Sequence, residues 1–373
     1  MRQLLVAAAL LGVACGQKRE AVTANTTAAV SYEQACNRGK LEACVKLGVI
    51  SENDGEWAKA IGFYKQGCTG RVMSGCRNLG RLHQNGRGVK KDLARAAALF
   101  QQACSGDDMS GCTSLGFLYS TGQGKKDAAK AATLYLHACV GGNMHGCFSL
   151  GFLYHQGRGV RQDWEKAAAL YEQACNGDSP KGCYGLGWLY ANGKGVTVDL
   201  AKAAALHKQA CDGGLAAACQ GLGWLYANGK GVKQDREKAA RLFRQACNGG
   251  EMWGCGNLAE LHETGDGVGQ DWVRAAALYE QACNGNEMYA CNNLARLYEK
   301  GRGLKQDLAK AVALYERACD ANDMGGCTSL GWLYDTGTGV ARDPKKAAGL
   351  YERACNAGNL TACTNLASMR ATP

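Results

Sequence analysis

Along the stretch SPKGCYGLGWLYANGKGVTVDLAKAAALHKQACDGG, residues 179–214, apolar and small residues recur at helical spacing. Cys183, Leu186, Gly187 and Tyr190 stand at i, i+3, i+4 and i+7, which places them on one face of a helix. Ser179 suits the N-cap and Pro180 the first turn, so this helix, termed A, is predicted to run to about Ala191, where Gly193 stops it. Gly193 and Gly195 supply positive-φ turn positions, and Val196 can tuck under the loop. Asp199 is a natural N-cap for a second helix, B, from about Leu200 to Cys211, which Asp212 and Gly213 close. Two short amphipathic helices joined by glycine loops form an αα-hairpin that cannot bury its apolar face alone, so neighbouring units must stack.

The unit recurs. The first cysteine of each pair falls at 36, 68, 104, 139, 175, 211, 247, 283, 319 and 355, with spacings of 32, 36, 35 and then 36 throughout. Each has a companion eight residues later, so the pairs are Cys36/Cys44, Cys68/Cys76, Cys104/Cys112, Cys139/Cys147, Cys175/Cys183, Cys211/Cys219, Cys247/Cys255, Cys283/Cys291, Cys319/Cys327 and Cys355/Cys363. Only Cys15 is left over. The segment VSYEQACNRG, 30–39, reads as the tail of a B helix, and TACTNLASMRATP reads as a short closing helix. The linker around SENDGEWAKA lacks the glycine loop, which explains the 32-residue spacing; TGQGKKD lacks the valine, which gives 35.

The pattern LGWLYANGKGV..D..KAAALH..AC resembles the SEL-one-like repeat, a relative of the tetratricopeptide repeat. The paired cysteines resemble the Hcp-like cysteine-rich subfamily of secreted bacterial proteins. The likeness covers roughly residues 30–369 and implies an all-α, right-handed αα-hairpin solenoid of about nine full repeats with partial terminal caps, ahead of a short tail at 370–373. Some members are described as penicillin-binding with slow β-lactamase activity, so the resemblance also implies β-lactams as ligands and a weak hydrolase as an alternative function.

Three uses of the cysteine pairs compete. Structural zinc favours cysteines two to four residues apart with four converging ligands, and thiol oxidoreductases favour C-x-x-C; C-x7-C fits neither. A staple fits: the first cysteine ends helix B, the second opens the next helix A, and the chain reverses between them. Every paired cysteine follows Ala or Gly, which permits the close approach that a disulfide demands. Each bond should contribute about 2.5 kcal/mol in the chain-entropy model.

Composition then sets the compartment. Twenty-one cysteines in 373 residues exclude an ordinary reducing cytosol and point to a periplasm or cell surface. The opening MRQLLVAAALLGVAC has a basic Arg2, an apolar run from Leu4 to Ala14 and small residues ahead of Cys15. It resembles a lipoprotein signal, with 1–14 removed, Cys15 lipidated and 15–29 a linker; ordinary signal cleavage is the alternative. Gly16 after Cys15 carries no inner-membrane retention signal, so the expected anchor is the outer membrane, through that lipid alone. The net charge of +10 is spread through the repeats without an arginine-rich aromatic run, so nucleic acid is not an expected partner.

Catalytic signals are sparse. S-x-x-K and K-[ST]-G are absent, and the YAN triplets at Tyr190–Asn192 and Tyr226–Asn228 belong to the repeat itself. His83, His137, His145, His155, His207 and His262 lie in different units without H-x-x-x-H spacing; His137 and His145 are expected to neighbour Cys139 and Cys147 across a turn. No catalytic residue, metal or cofactor is therefore assigned.

Binding is the usual work of such arrays, along a face lined by one helix of each pair. Trp188 stands about 140° around helix A from Cys183 at 100° per residue, away from the apolar face. Equivalent positions carry Phe117, Phe152, Trp224 and Trp332, but Arg81, Glu260 and Arg296 elsewhere. A position needed for packing in every unit should not alternate in this way. Two residues after the second cysteine stand Asn78, Asn257, Asn293 and Asn365, with Ser114, Ser149 and Ser329 in other units. Likeness to tetratricopeptide repeats implies that such asparagines support a bound peptide. Two readings stay open: an aromatic ladder in a groove, or packing against the adjacent unit. The expected molecule is a monomeric scaffold for a protein, peptide or peptidoglycan-related ligand of the bacterial envelope, or a regulatory adaptor of an envelope enzyme.

Overall fold

Helix boundaries follow the local chemistry closely. In the computed structural model, which describes residues 29–122 and 127–371, Asp199 accepts a hydrogen bond from the Lys202 backbone N–H and Ser179 one from that of Gly182. Asp92, Asp127, Asp163, Asp235, Asp271, Asp307 and Asp343 cap the other glycine-loop B helices in the same way. A cap of this kind stabilises a helix by about 1 kcal/mol. Gly193 ends helix A at φ +63° and Gly195 follows at φ +68°.

The second loop glycine has a further reason to exist. A Cβ on Gly231 would lie 2.3 Å from the backbone carbonyl of Leu200, and one on Gly303 2.3 Å from that of Trp272. The loop thus lies directly on the start of the preceding B helix, and no side chain fits there.

The chain forms two units, 1–177 and 178–373. The first contains α1 (29–37), α2 (Leu41–Asn53), α3 (Trp57–Thr69), α4 (Met73–Asn85), α5 (Leu93–Ser105), α6 (Met109–Thr121), α7 (Ala128–Val140), α8 (Met144–Gln156) and α9 (Trp164–Asn176). The second contains α10 (Pro180–Asn192), α11 (Leu200–Asp212), α12 (Ala216–Asn228), α13 (Arg236–Asn248), α14 (Met252–Thr264), α15 (Trp272–Asn284), α16 (Met288–Lys300), α17 (Leu308–Asp320), α18 (Met324–Thr336), α19 (Pro344–Asn356) and α20 (Leu360–Ala371). Even-numbered helices are A helices and odd-numbered ones B helices. No strand occurs among the described residues. Both expected ends appear as helices, α1 and α20, and the short first linker is a tight turn through Asp54, Gly55 and Glu56. Residues 1–28, with the expected signal segment and Cys15, and residues 372–373 of the expected tail lie outside the described residues.

Within each unit, every helix packs against its neighbours in sequence, and successive A helices also touch: α4 with α6 and α6 with α8 in the first unit, α12 with α14 and α16 with α18 in the second. Glycines on the A helices permit this density. Gly223 admits the ring of Phe243 and Gly331 that of Tyr351, where a Cβ would meet the ring at 2.7 and 2.8 Å. Lysines of the B helices clasp tyrosines of the A helices across several hairpins, with Lys202 Nζ 2.6 Å from Tyr190 Oη and Lys238 Nζ 2.7 Å from Tyr226 Oη.

Within the two units, nine i to i+8 disulfides among the described residues link B helices to the following A helices: Cys36–Cys44, Cys68–Cys76, Cys104–Cys112, Cys139–Cys147, Cys211–Cys219, Cys247–Cys255, Cys283–Cys291, Cys319–Cys327 and Cys355–Cys363. Their Cα atoms are 4.5 to 4.8 Å apart, inside the range a disulfide spans without moving the backbone. Cys175 and Cys183 stand on opposite sides of the boundary between the units.

Candidate functional site

The A-helix face carries the residues that sequence reasoning singles out. In the first unit Phe117 and Phe152 are 45% and 40% exposed; in the second Trp224 and Trp332 are each 43% exposed and Trp188 is half-buried. Phe152 belongs to a group of rings, with Phe148 at 6.3 Å and His155 at 6.0 Å between centroids, and burial lowers the His155 pKa. Lys230 places its ammonium 4.7 Å from the centre of the Trp224 ring.

Two of these tryptophans wall the same kind of crevice, repeated along the second unit. Trp224, Ala227, Phe243, Asn257 and Glu260 enclose about 340 Å³ between α12 and α14. Trp332, Asp335, Tyr351, Asn365 and Ser368 enclose about 370 Å³ between α18 and α20. Each crevice combines the exposed tryptophan of one A helix with the asparagine two residues after the second cysteine of the next. The two residue classes predicted separately therefore meet. Asn257 Oδ1 also accepts a hydrogen bond from Tyr289 Oη at 3.4 Å.

Where arginine stands at the aromatic position of an A helix, it forms an ion pair back to the preceding A helix. Arg296 reaches back to Glu263 of the preceding A helix at 2.6 Å, Glu263 accepts a hydrogen bond from the Tyr279 hydroxyl at 3.0 Å, and Arg296 also donates to Asn293 Oδ1 at 3.2 Å. Arg81, Glu52 and Tyr64 repeat the arrangement, with 2.6 Å and 2.9 Å contacts. Tyr315 donates to Glu299 at 2.7 Å. Burial, reinforced by the facing carboxylates, holds the phenols of Tyr64, Tyr279 and Tyr315 well above the usual tyrosine range. Asn293 is thus engaged within the fold, and Asn78 is half-buried on α4. These Tyr–Glu–Arg sets were missed in the sequence, although aligned units display them: Arg appears at this position only where Glu and Tyr stand in the hairpin before it.

His207 occupies the tyrosine position of its hairpin, with Ala191 where most other units have a polar residue. It is buried against Tyr184, with ring centres 5.2 Å apart, and burial pushes its pKa down to about 4.

Eight matches to the Sel1 repeat model cover 74–108, 110–143, 145–179, 180–215, 216–251, 254–287, 289–323 and 326–359. The chain belongs to the Sel1 repeat family. A tetratricopeptide repeat model also matches 43–67, and no curated protein matches. Among solved structures, c5321, a protective antigen of uropathogenic Escherichia coli with an SLR fold, is 27% identical over 83% of this chain and 67% of its own, with a TM-score of 0.69. A Sel1 repeat protein from Oxalobacter formigenes is 24% identical over 65% of this chain and 96% of its own, with a TM-score of 0.60. Cysteine-rich protein B of Helicobacter pylori is 34% identical over 36% of this chain and 97% of its own, with a TM-score of 0.30. Sel1 repeats are scaffolds suited to protein–protein interaction. The density of disulfides suits a non-reducing, extracellular-type compartment, and no helix among the described residues is long and apolar enough to cross a membrane.

At several joints a polar residue from the following B helix, two positions before that helix's own cysteine, approaches the disulfide. Gln173 Oε1 lies 3.5 Å from Cys139 Sγ; Arg317 and Arg353 donate to the Cys283 and Cys319 carbonyls at 2.9 Å, with guanidinium nitrogens 3.6 Å from the sulfurs. His137 holds this position at the third joint. Contrary to the sequence expectation, its ring meets the disulfide of the preceding joint instead of Cys139: Nδ1 lies 3.9 Å from Cys104 Sγ and 3.7 Å from Cys112 Sγ.

Proposed function

We propose that this Sel1 repeat protein is an exported scaffold whose A-helix face binds an extended peptide segment of a partner in the bacterial envelope. The observation that carries the reading is the recurrent crevice: an exposed tryptophan beside an asparagine, at Trp224 with Asn257 and at Trp332 with Asn365. An indole wall and an amide that can both donate and accept are the means by which a groove holds apolar side chains and peptide backbone together. The cysteine-rich composition and the apolar run from Leu4 to Ala14 support export, and Cys15 supports an outer-membrane lipid anchor.

The test is selection of peptides from a displayed random library on the oxidised protein, followed by affinity measurement against Trp224→Ala/Trp332→Ala. Loss of at least about tenfold in affinity, with an unchanged thermal melt, is expected for residues that act as binding anchors. Peptides that bind wild type and variant equally would remove the A-helix face from the reading.

A further inference from the structure

The third joint differs from the rest in one respect. At the position that approaches the disulfide of the preceding joint, the units carry Gln66, Gln102, His137, Gln173, Gln209, Gln245, Gln281, Arg317 and Arg353. Of these side-chain types, only histidine is a strong ligand for thiophilic metals. Cys104, Cys112 and His137 place one sulfur, one sulfur and one ring nitrogen within 4.8 Å of one another.

We propose that the Cys104–Cys112 joint is a redox-gated metal site: closed while the disulfide is intact, and on reduction a Cys2His site for Zn²⁺. Ligand distances support this. In tetrahedral geometry, Zn–S bonds of about 2.3 Å and a Zn–N bond of about 2.1 Å separate sulfur from nitrogen by about 3.6 Å. The two Nδ1 to Sγ distances of 3.7 and 3.9 Å already approach that value. What must change is the sulfur pair, which opens from its bonded separation to about 3.8 Å in the same geometry. Both cysteines are buried, whereas His137 is exposed, which gives an ion a way in. Three protein ligands leave the fourth position to water or an external ligand.

The chemistry balances. A dithiol reductant gives two electrons and two protons to the Sγ–Sγ bond; that bond breaks, two S–H bonds form, and the reductant closes to its own disulfide. Zn²⁺ then binds both sulfurs and the neutral imidazole, releasing the two thiol protons to solvent. A small-molecule disulfide reverses the change: it takes two electrons from the two thiolates and two protons from solvent to become a dithiol, the Sγ–Sγ bond re-forms, and Zn²⁺ leaves.

The experiment uses the full chain, reduced with a phosphine, desalted without oxygen and alkylated with or without one equivalent of Zn²⁺. Peptide mapping is expected to find Cys104 and Cys112 protected at least about tenfold over the other pairs. His137→Gln installs the residue found at most equivalent positions and is expected to abolish that selectivity while leaving the oxidised protein's melt unchanged. Gln173→His should create a second protected pair at Cys139 and Cys147. Zinc protection spread evenly over the pairs, as an unfolded reduced chain would give, or selectivity that survives His137→Gln, overturns the proposal.

Discussion

The crevice between α12 and α14 and its counterpart one unit later, between α14 and α16, are built on the same positions and differ in four of five side chains. Trp224, Ala227, Phe243, Asn257 and Glu260 become Glu260, Glu263, Tyr279, Asn293 and Arg296. The first set leaves a space of about 340 Å³ beside an exposed indole; the second ties three polar groups into a Tyr–Glu–Arg network. A Sel1 unit therefore offers the same positions for two purposes, cementing adjacent A helices or leaving room between them. The alternation that puzzles at the level of sequence is a choice made unit by unit.

The largest effect should come from breaking the closed version. Glu263→Ala leaves the buried Tyr279 hydroxyl without its acceptor and takes the carboxylate from the partly exposed Arg296 guanidinium, which keeps Asn293; this should cost about 2.5 kcal/mol. Hydrogen exchange of α14 to α16 is the suitable readout, because a repeat array can open locally. A double-mutant cycle with Tyr279→Phe should return a coupling energy clearly above zero; additivity would dissolve the network into independent contacts.

His207 gives the comparison a third variant, neither open nor tied. Its folded pKa of about 4 lies below the unfolded value near 6.5, so the unfolded chain binds the proton more tightly. The neutral ring's contribution is complete above pH 6.5 and declines as pH falls towards 4, by about 2 kcal/mol at pH 5. His207→Phe, which copies Phe243, should flatten stability over that window. An acid dependence unchanged by the substitution would place its origin elsewhere.

Opening and closing can also be exchanged. Glu260→Arg together with Ala227→Glu and Phe243→Tyr rebuilds the closed set at the open crevice; peptides selected on the wild type should lose affinity at least about tenfold there. Retained affinity would show that the crevice is not where they sit. The smallest effect is expected from Gly223→Ala. The Phe243 ring, two atoms of which would lie 2.7 and 2.8 Å from the new methyl, must move aside, but Ala259 and Ala295 stand at the equivalent position of other units, and alanine favours the helix. Thermal melts should place the change within about 1 kcal/mol.

Much of this was open to reading in the chain itself. The 36-residue period, the aspartate caps and the eight-residue cysteine spacing are local signals, and each found its structural counterpart: Asp199 on Lys202, Gly193 at positive φ, nine disulfides in register. The candidate binding residues are less legible. Trp224 and Asn257 carry different signals in the sequence, and their meeting depends on how α14 lies on α12, which no single unit specifies. The Arg–Glu ties of the Tyr–Glu–Arg sets and the His137 contact were missed for the same reason: they join neighbouring hairpins, 25 to 33 residues apart. Reading the units in columns instead of singly would have exposed the first. The second needed the register of α7 against the joint before it.

The placement of the disulfides has a consequence for how the chain survives damage. They bridge the short connections from a B helix to the next A helix, whereas the described connections from A to B, such as residues 193–199, have no disulfide across them. A protease that nicks between Cys247 and Cys255 releases nothing until a reductant arrives, because the severed ends remain joined through sulfur. A cut in an A-to-B loop divides the covalent chain at once. The two kinds of connection thus carry unequal risk, and the Gly-x-Gly turns that seat the loops tightly on the preceding helix guard the places where a single break would count.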